Sequence, residues 1–402
     1  MRTTVLVLAS VILCCSLTFG VQEKILYNFG TGDGYYPYGT LIFDASGNLY
    51  GTTYAGGKYY DGTVFKLTKN QDGTWTESVL YNFAGGEFDG MYPTAGLTFD
   101  SQGNLYGTTN AGGHGSQGTC WPRGCGIVFQ LIPQGNGTWQ ENVLMGFGLD
   151  PQYGINPWSG VVLDQAGNVY GTSFGGTSGY GVIFELTPNL NGTWDSSVLY
   201  NFTGGDDGGF VNGLAIDGAN DLYTFASNGG QNHAGTVFKL APEPGGKWTG
   251  SVLYTFKGGE AGISPAGTPL FDSSGNLYGA TQSVQTSATI FKLTPKPAGP
   301  WGHTVVHRFR FSPDGYNPDG ILSFDPFGSL YGTTTYGGKS GIGTVFRLSP
   351  VDGGVRYSRF SFDVSNGEYP LSGVVFDQTG NLYGTTDEGG NPPYGVVYEI
   401  TP

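Results

Sequence analysis

The sequence predicts an all-β fold: a seven-bladed β-propeller with four antiparallel strands per blade, the last blade closed by the N-terminal strand. Three observations predict it. A phrase recurs seven times, as GNLYGTT at 47–53, 103–109 and 380–386, GNVYGTS at 167–173, GNLYGAT at 275–281, GSLYGTT at 328–334 and a worn ANDLYTF at 219–225. Its Tyr falls at 50, 106, 170, 223, 278, 331 and 383, a period of 52 to 64 residues that suits propeller blades. No stretch sustains a 3.6-residue period, so helices are expected to be few.

Each period divides alike. A first strand such as GLTFD (96–100) leads through a tight turn into NLYGTT. A loop with Gly-Gly follows, then a third strand of the type GTVFKLT (62–68), a polar turn with GTW, and an outer strand of the type SVLYNF (78–83). Tyr, Val, Phe and Thr favour strands, and Gly, Asn, Asp and Pro punctuate them. Four types in seven copies make seven blades. The ends fall out of phase. The chain opens on an outer-type strand, KILYNF (24–29), and its last segment is a third-type strand, GVVYEITP (395–402). The N-terminus is therefore expected to supply the outer strand of the last blade and hide its open edge.

Residues 1–20 read as a secretory signal: Arg2 precedes an apolar run, and Thr18 and Gly20 frame a cleavage point before Val21. Residues 21–402 are then one propeller domain. Leu13 before Cys14 argues against lipidation, and no other apolar run approaches the ~20 residues of a membrane span. Without residues 1–20 the balance is 16 basic against 31 acidic side chains, or −15. Such a surface repels phosphate backbones, so nucleic acid is not an expected partner. Cys120 and Cys125, the pair left after removal of the signal, are expected to form a small-loop disulfide. No ligand cluster for a metal is apparent, and no cofactor is expected.

GLTFDSQGNLYGTTNAGG followed by a GTVFKL-type strand resembles the GloVer-type tandem repeat of secreted bacterial choice-of-anchor proteins, over essentially the whole mature chain. The resemblance implies a secreted propeller and no particular chemistry. In that family varied C-terminal sorting signals follow the repeats, and none is recognisable here. At blade level the pattern is also similar to NHL and virginiamycin-lyase-like propellers.

The repeated residues read as framework. Asp44, Asp100, Asp164, Asp217, Asp272, Asp325 and Asp377 each end a first strand and are expected to close its turn. The Tyr and Phe of LYG and VFKL are expected to pack blade on blade, and the Gly after Tyr to let neighbouring backbones approach. Trp75, Trp139, Trp194, Trp248 and Trp301 precede the outer strands and suit a half-exposed seat at the blade edge, with sugar platforms as the alternative.

Function is sought where the loops between second and third strands share a face with the blade links. There Asp33, Asp89, Asp207, Asp314, Tyr36, Tyr92 and Tyr369 are expected to ring a mouth of acids and tyrosines that suits neutral sugars. The symmetry breaks most at 110–126 and 149–160, which are expected to bring His114, Trp121, Arg123, Asp150, Tyr153 and Trp158 together. His114 and His233 lie on such loops and are the candidates for acid–base catalysis; His303 and His307 read as packing. No nucleophile, base and orienter stand together in any known pattern. The expected function is that of a monomeric, secreted binding protein for a neutral glycan or a cell-surface partner. The alternatives are a polysaccharide lyase or glycoside hydrolase, and a scaffold for other exported proteins.

Overall fold

The computed structural model describes residues 22–113, 120, 122–282, 288–310, 314–318 and 321–401. The expected signal peptide, His114 and Trp121 lie outside these.

Seven four-stranded antiparallel sheets follow one another around an axis. The second strands, which carry the phrase, are Leu49–Thr53, Leu105–Thr109, Val169–Ser173, Leu222–Asn228, Leu277–Thr281, Leu330–Tyr336 and Leu382–Thr386 in blades 1 to 7. Blade 7 is completed by the N-terminal strand, Gln22–Asn28, which pairs antiparallel with Val396–Thr401 from Gln22↔Thr401 to Asn28↔Val396. The predicted closure is thus present. In blade 6 a further short strand, Tyr316–Pro318, extends the sheet beside Ser323–Phe324.

The Asp at the end of each first strand closes its turn, as expected. In blade 1 Asp44 Oδ1 accepts from the Ser46 and Asn48 N–H groups at 2.8 and 2.9 Å. Its Oδ2 also accepts from the Tyr50 hydroxyl at 3.1 Å, a contact repeated at Tyr106, Tyr170, Tyr223, Tyr278 and Tyr383. The phrase Tyr therefore has two duties. Its ring enters the interblade core, and its hydroxyl satisfies the turn carboxylate.

Seven apolar clusters fill the spaces between blades. Val64 and Phe83 of blade 1 pack with Leu105 and Phe129 of blade 2, for example. The recurring Trp belong to these interfaces. Trp139 of blade 2 meets Tyr50 of blade 1 edge-on at 6.5 Å, and Trp194, Trp248 and Trp75 repeat the contact with Tyr106, Tyr170 and Tyr383. They seal blade edges, which leaves the sugar-platform alternative without support at these positions.

The Gly of LYG differs from expectation in what approaches it. A Cβ on Gly171 would lie 2.4 Å from Cζ of Phe184, the third-strand ring of its own sheet, rather than against a neighbouring backbone. Phe184 is fully buried and has no room to yield. Gly171→Ala is expected to lower stability by about 1–3 kcal/mol through overpacking, measured as a drop in denaturation midpoint at unchanged slope. Blade 4 shows how the rule is met when the glycine is missing. Its phrase has Thr224 there, and the Phe238 ring lies instead over Gly250 of the outer strand, where a Cβ would be 2.4 Å from Cζ. The displaced ring stays in contact with Tyr200 and Phe202.

Candidate functional site

The first strands surround an axial cavity of about 470 Å³. They come close together because glycine stands where they meet. A Cβ on Gly213 would lie 2.4 Å from the Gly267 carbonyl oxygen of the next blade. Among the described residues that line the cavity none is charged. Tyr38, Thr94, Trp158, Asn212 and Gln282 line it where the blade links and second-strand ends converge.

A seven-fold backbone device builds this mouth. Tyr36, Tyr92, Asn156, Phe210, Ser264, Asn317 and Tyr369 all have left-handed φ, between 47° and 60°. All but Phe210 precede a proline. Such a conformation strains a residue with a Cβ and is held only by its surroundings. Here both peptide groups are used: the Tyr92 N–H donates to Asp61 O of blade 1 at 2.8 Å, and its carbonyl accepts from Asn110 N–H of blade 2 at 3.0 Å. Tyr369 repeats this with Ile342 and Asp387. The ring stitches successive blades together at the mouth.

Around two of these positions, Tyr36 and Tyr92, an aromatic arc results. Tyr394 meets Tyr35, which meets Tyr36, with centroids 5.5 and 4.8 Å apart. Tyr38 contacts Tyr36 and Tyr54, and Tyr54 stacks on Tyr92 at 4.8 Å. Arg123 lies over Tyr92, 5.6 Å from its centroid. The tyrosine faces are largely spent on one another. Burial first, and neighbouring acids second, push the Tyr36 and Tyr38 hydroxyls above the usual phenol range, which keeps them neutral. Trp158, 53% exposed, offers the open indole face at the cavity rim.

The other expected residues are placed differently. Asn156 N–H donates to Cys125 O at 2.7 Å, which brings Cys125 beside the 149–160 link. The Cys120–Cys125 disulfide pins that loop. His114 and Trp121 of the predicted cluster lie outside the described residues, and its four described members are placed apart. Arg123 and Trp158 belong to the mouth, whereas the Tyr153 hydroxyl donates to Ser196 O on the outer strand of blade 3 at 2.9 Å. Asp150 caps the short turn Pro151–Tyr153 by accepting from Gln152 N–H.

Asp89 and Asp207 are engaged at the blade seams. Asp89 accepts from Ala84 and Gly90 N–H groups at 2.7 and 2.6 Å and from the Tyr81 hydroxyl at 3.2 Å. Asp207 does the same with Thr203 N–H and Tyr200. Across the first of these seams Tyr81 also reaches Glu141 Oε2 at 2.9 Å. His233 sits exposed in its loop with left-handed φ, its N–H donating to Gly230 O. His303 and His307 stack flat on Tyr254 and Tyr357, and burial lowers both imidazoles, in keeping with packing roles.

Residues that sequence reasoning passed over include Thr94, Asn212, Gln282 and Asp387. Their signal is a fixed offset. Thr94 and Asn212 fall two residues after a ring position, and Gln282 and Asp387 fall four residues after a phrase Tyr. Among the described residues no group of three or more His, Cys, Asp or Glu side chains is arranged to hold a metal ion, and no helix is long and apolar enough to cross a membrane.

The Gloeobacter/Verrucomicrobia repeat family matches residues 16–122, 121–299 and 247–402. Among curated proteins none matches the chain. A solved structure similar in fold is that of a proposed 6-phosphogluconolactonase from Bacteroides uniformis, with a TM-score of 0.51 and 14% identity over 86% of this chain and 88% of that one. Another is a proposed glucose dehydrogenase-type oxidoreductase from Thermus thermophilus, with a TM-score of 0.43 and 14% identity over 95% and 100%. At such identity the first likeness bears on the fold alone, and the second carries no argument.

Proposed function

The chain belongs to the Gloeobacter/Verrucomicrobia repeat family, and we propose that it is an exported binding protein that holds neutral glycans at the mouth of its axial cavity without cleaving them. One observation carries this reading: a cavity of about 470 Å³ whose described lining holds no charge, with the half-exposed Trp158 and Tyr38 among its lining residues. An uncharged concave site with one open aromatic face and a few convergent hydrogen-bonding groups suits a sugar ring. Asp89 and Asp207 accept turn hydrogen bonds and are not among the cavity's lining residues.

The test is incubation with immobilised neutral and uronic-acid polysaccharides. Retention on neutral chains with no soluble products is expected. Trp158→Ala should weaken retention by roughly tenfold, the size of one lost aromatic contact. Release of oligosaccharides would replace this reading with an enzyme, and capture of a protein partner with no glycan signal would replace it with a scaffold.

A further inference from the structure

Asp387 breaks the symmetry of the mouth. The positions four residues after the phrase tyrosines are Tyr54, Asn110, Phe174, Ser227, Gln282, Thr335 and Asp387, so blade 7 alone places a charge there. Its backbone N–H is committed to Tyr369 O at 3.0 Å. Unlike the turn aspartates, its Oδ1 is buried without a hydrogen-bond partner. A buried carboxylate oxygen left without a donor is costly for folding alone. Tyr38, a lining residue of the axial cavity, interacts with this carboxylate.

We propose that Asp387 is a positioning residue of the glycan site: its carboxylate takes the Tyr38 O–H, so that the Tyr38 oxygen meets the ligand as an acceptor for a sugar hydroxyl. The proposal rests on the neutral-glycan reading above. A sugar O–H donating to Tyr38, with Tyr38 donating to an ionised carboxylate, is a charge-assisted chain whose members strengthen one another. When Asp387 is protonated its own O–H occupies the Tyr38 oxygen, and the chain reverses.

Burial, reinforced by Glu388, pushes the Asp387 carboxyl up to about 7. The groups facing it are Tyr38, Tyr36 and Tyr369, with Glu388 beside it and Glu368 paired to Glu388 by backbone bonds of 2.8 and 3.1 Å. The tyrosines stay neutral across this range, so Asp387 sets the titration. A ligand that binds the ionised form binds more tightly as pH rises through the carboxyl's own value.

The experiment measures affinity for a soluble neutral oligosaccharide, chosen from those retained, between pH 5.5 and 8.5. The wild type should tighten by about tenfold over that range. Asp387→Asn should hold the weak, acid-side affinity at every pH while its thermal midpoint stays the same or rises. Tyr38→Phe should show the same flat profile, and Glu388→Gln should keep the slope but move its midpoint to lower pH. A flat wild-type profile overturns the proposal, as does an Asp387→Asn protein with wild-type affinity and slope. Absence of retention on every neutral glycan removes the binding reading itself and this proposal with it.

Discussion

A chain that starts at Gly30 is expected to lose the cooperative unfolding of the full ring. Residues 22–28 supply the outer strand of blade 7, yet their clusters reach across the seam into blade 1. Phe29 is fully buried against Phe65, with ring centroids 5.0 Å apart, and Leu26 is nearly so. Burial of two such side chains alone is worth about 3–6 kcal/mol. The truncation also strips a strand edge from Val396–Thr401 and removes the Asn28 side chain that accepts from Asn391 N–H at 2.9 Å. Lys24 loses its bond to Gly73 O of blade 1 and Glu23 its bond from Asn366 at the blade 6 link. The total is of the order of 5 kcal/mol or more, comparable with the whole stability of many domains. Calorimetry should show a broadened, much lower transition, and a peptide of residues 22–29 added in trans should restore part of it. An unchanged midpoint in the truncated chain would mean that the ring is held closed elsewhere.

The blades were legible because their signal is local and repeated. Strand alternation, the Asp-x-x-Gly-Asn turn and the Gly after Tyr each act within about 20 residues, and seven copies separate pattern from noise. Even the terminal strand was legible, because the phase of the repeat leaves a gap of known type. The mouth was less so, for two physical reasons. A loop's position along the sequence says which face it reaches but not how far from the axis its side chains end. Tyr153 and Trp158 are five residues apart, yet one bonds an outer strand and the other lines the axial cavity. Composition also says that tyrosines are present, not what their faces touch. Tyr92 is expected to ring a mouth that suits sugars, and the fold stacks its face on Tyr54. Asp387 stands out in the letters only as the charged member of its offset series, and nothing there shows that its Oδ1 finds no donor.

The seams beside the closing strand make stability fall as pH rises, against the usual behaviour of paired carboxylates. Glu23, Glu77 and Glu141 lie on the outer strands of blades 7, 1 and 2. Each has a buried Oε1 without a partner. Burial, opposed by the Asn366 hydrogen bond and aided by Asp363, pushes the Glu23 carboxyl up to about 7. Burial with Asp33 nearby does the same to Glu77, also to about 7. Glu141 is raised as well, by burial and by Asp89, with which it shares the Tyr81 hydroxyl. In the unfolded chain these groups titrate near 4.5. The folded state therefore holds protons that the unfolded state has already released. The stabilisation is fully present below about pH 4.5, declines from there, and is gone once the pH passes the folded values near and above neutrality. Allowing for solvent at half-buried sites, each group contributes on the order of 1 kcal/mol, or roughly 5 °C in midpoint for the three together. Thermal midpoints measured from pH 5 to pH 9 should fall accordingly. Glu77→Gln and Glu141→Gln should each flatten part of the fall while leaving the pH 5 midpoint nearly unchanged. A midpoint that rises across this interval would show that these carboxylates are ionised and paired in the folded ring.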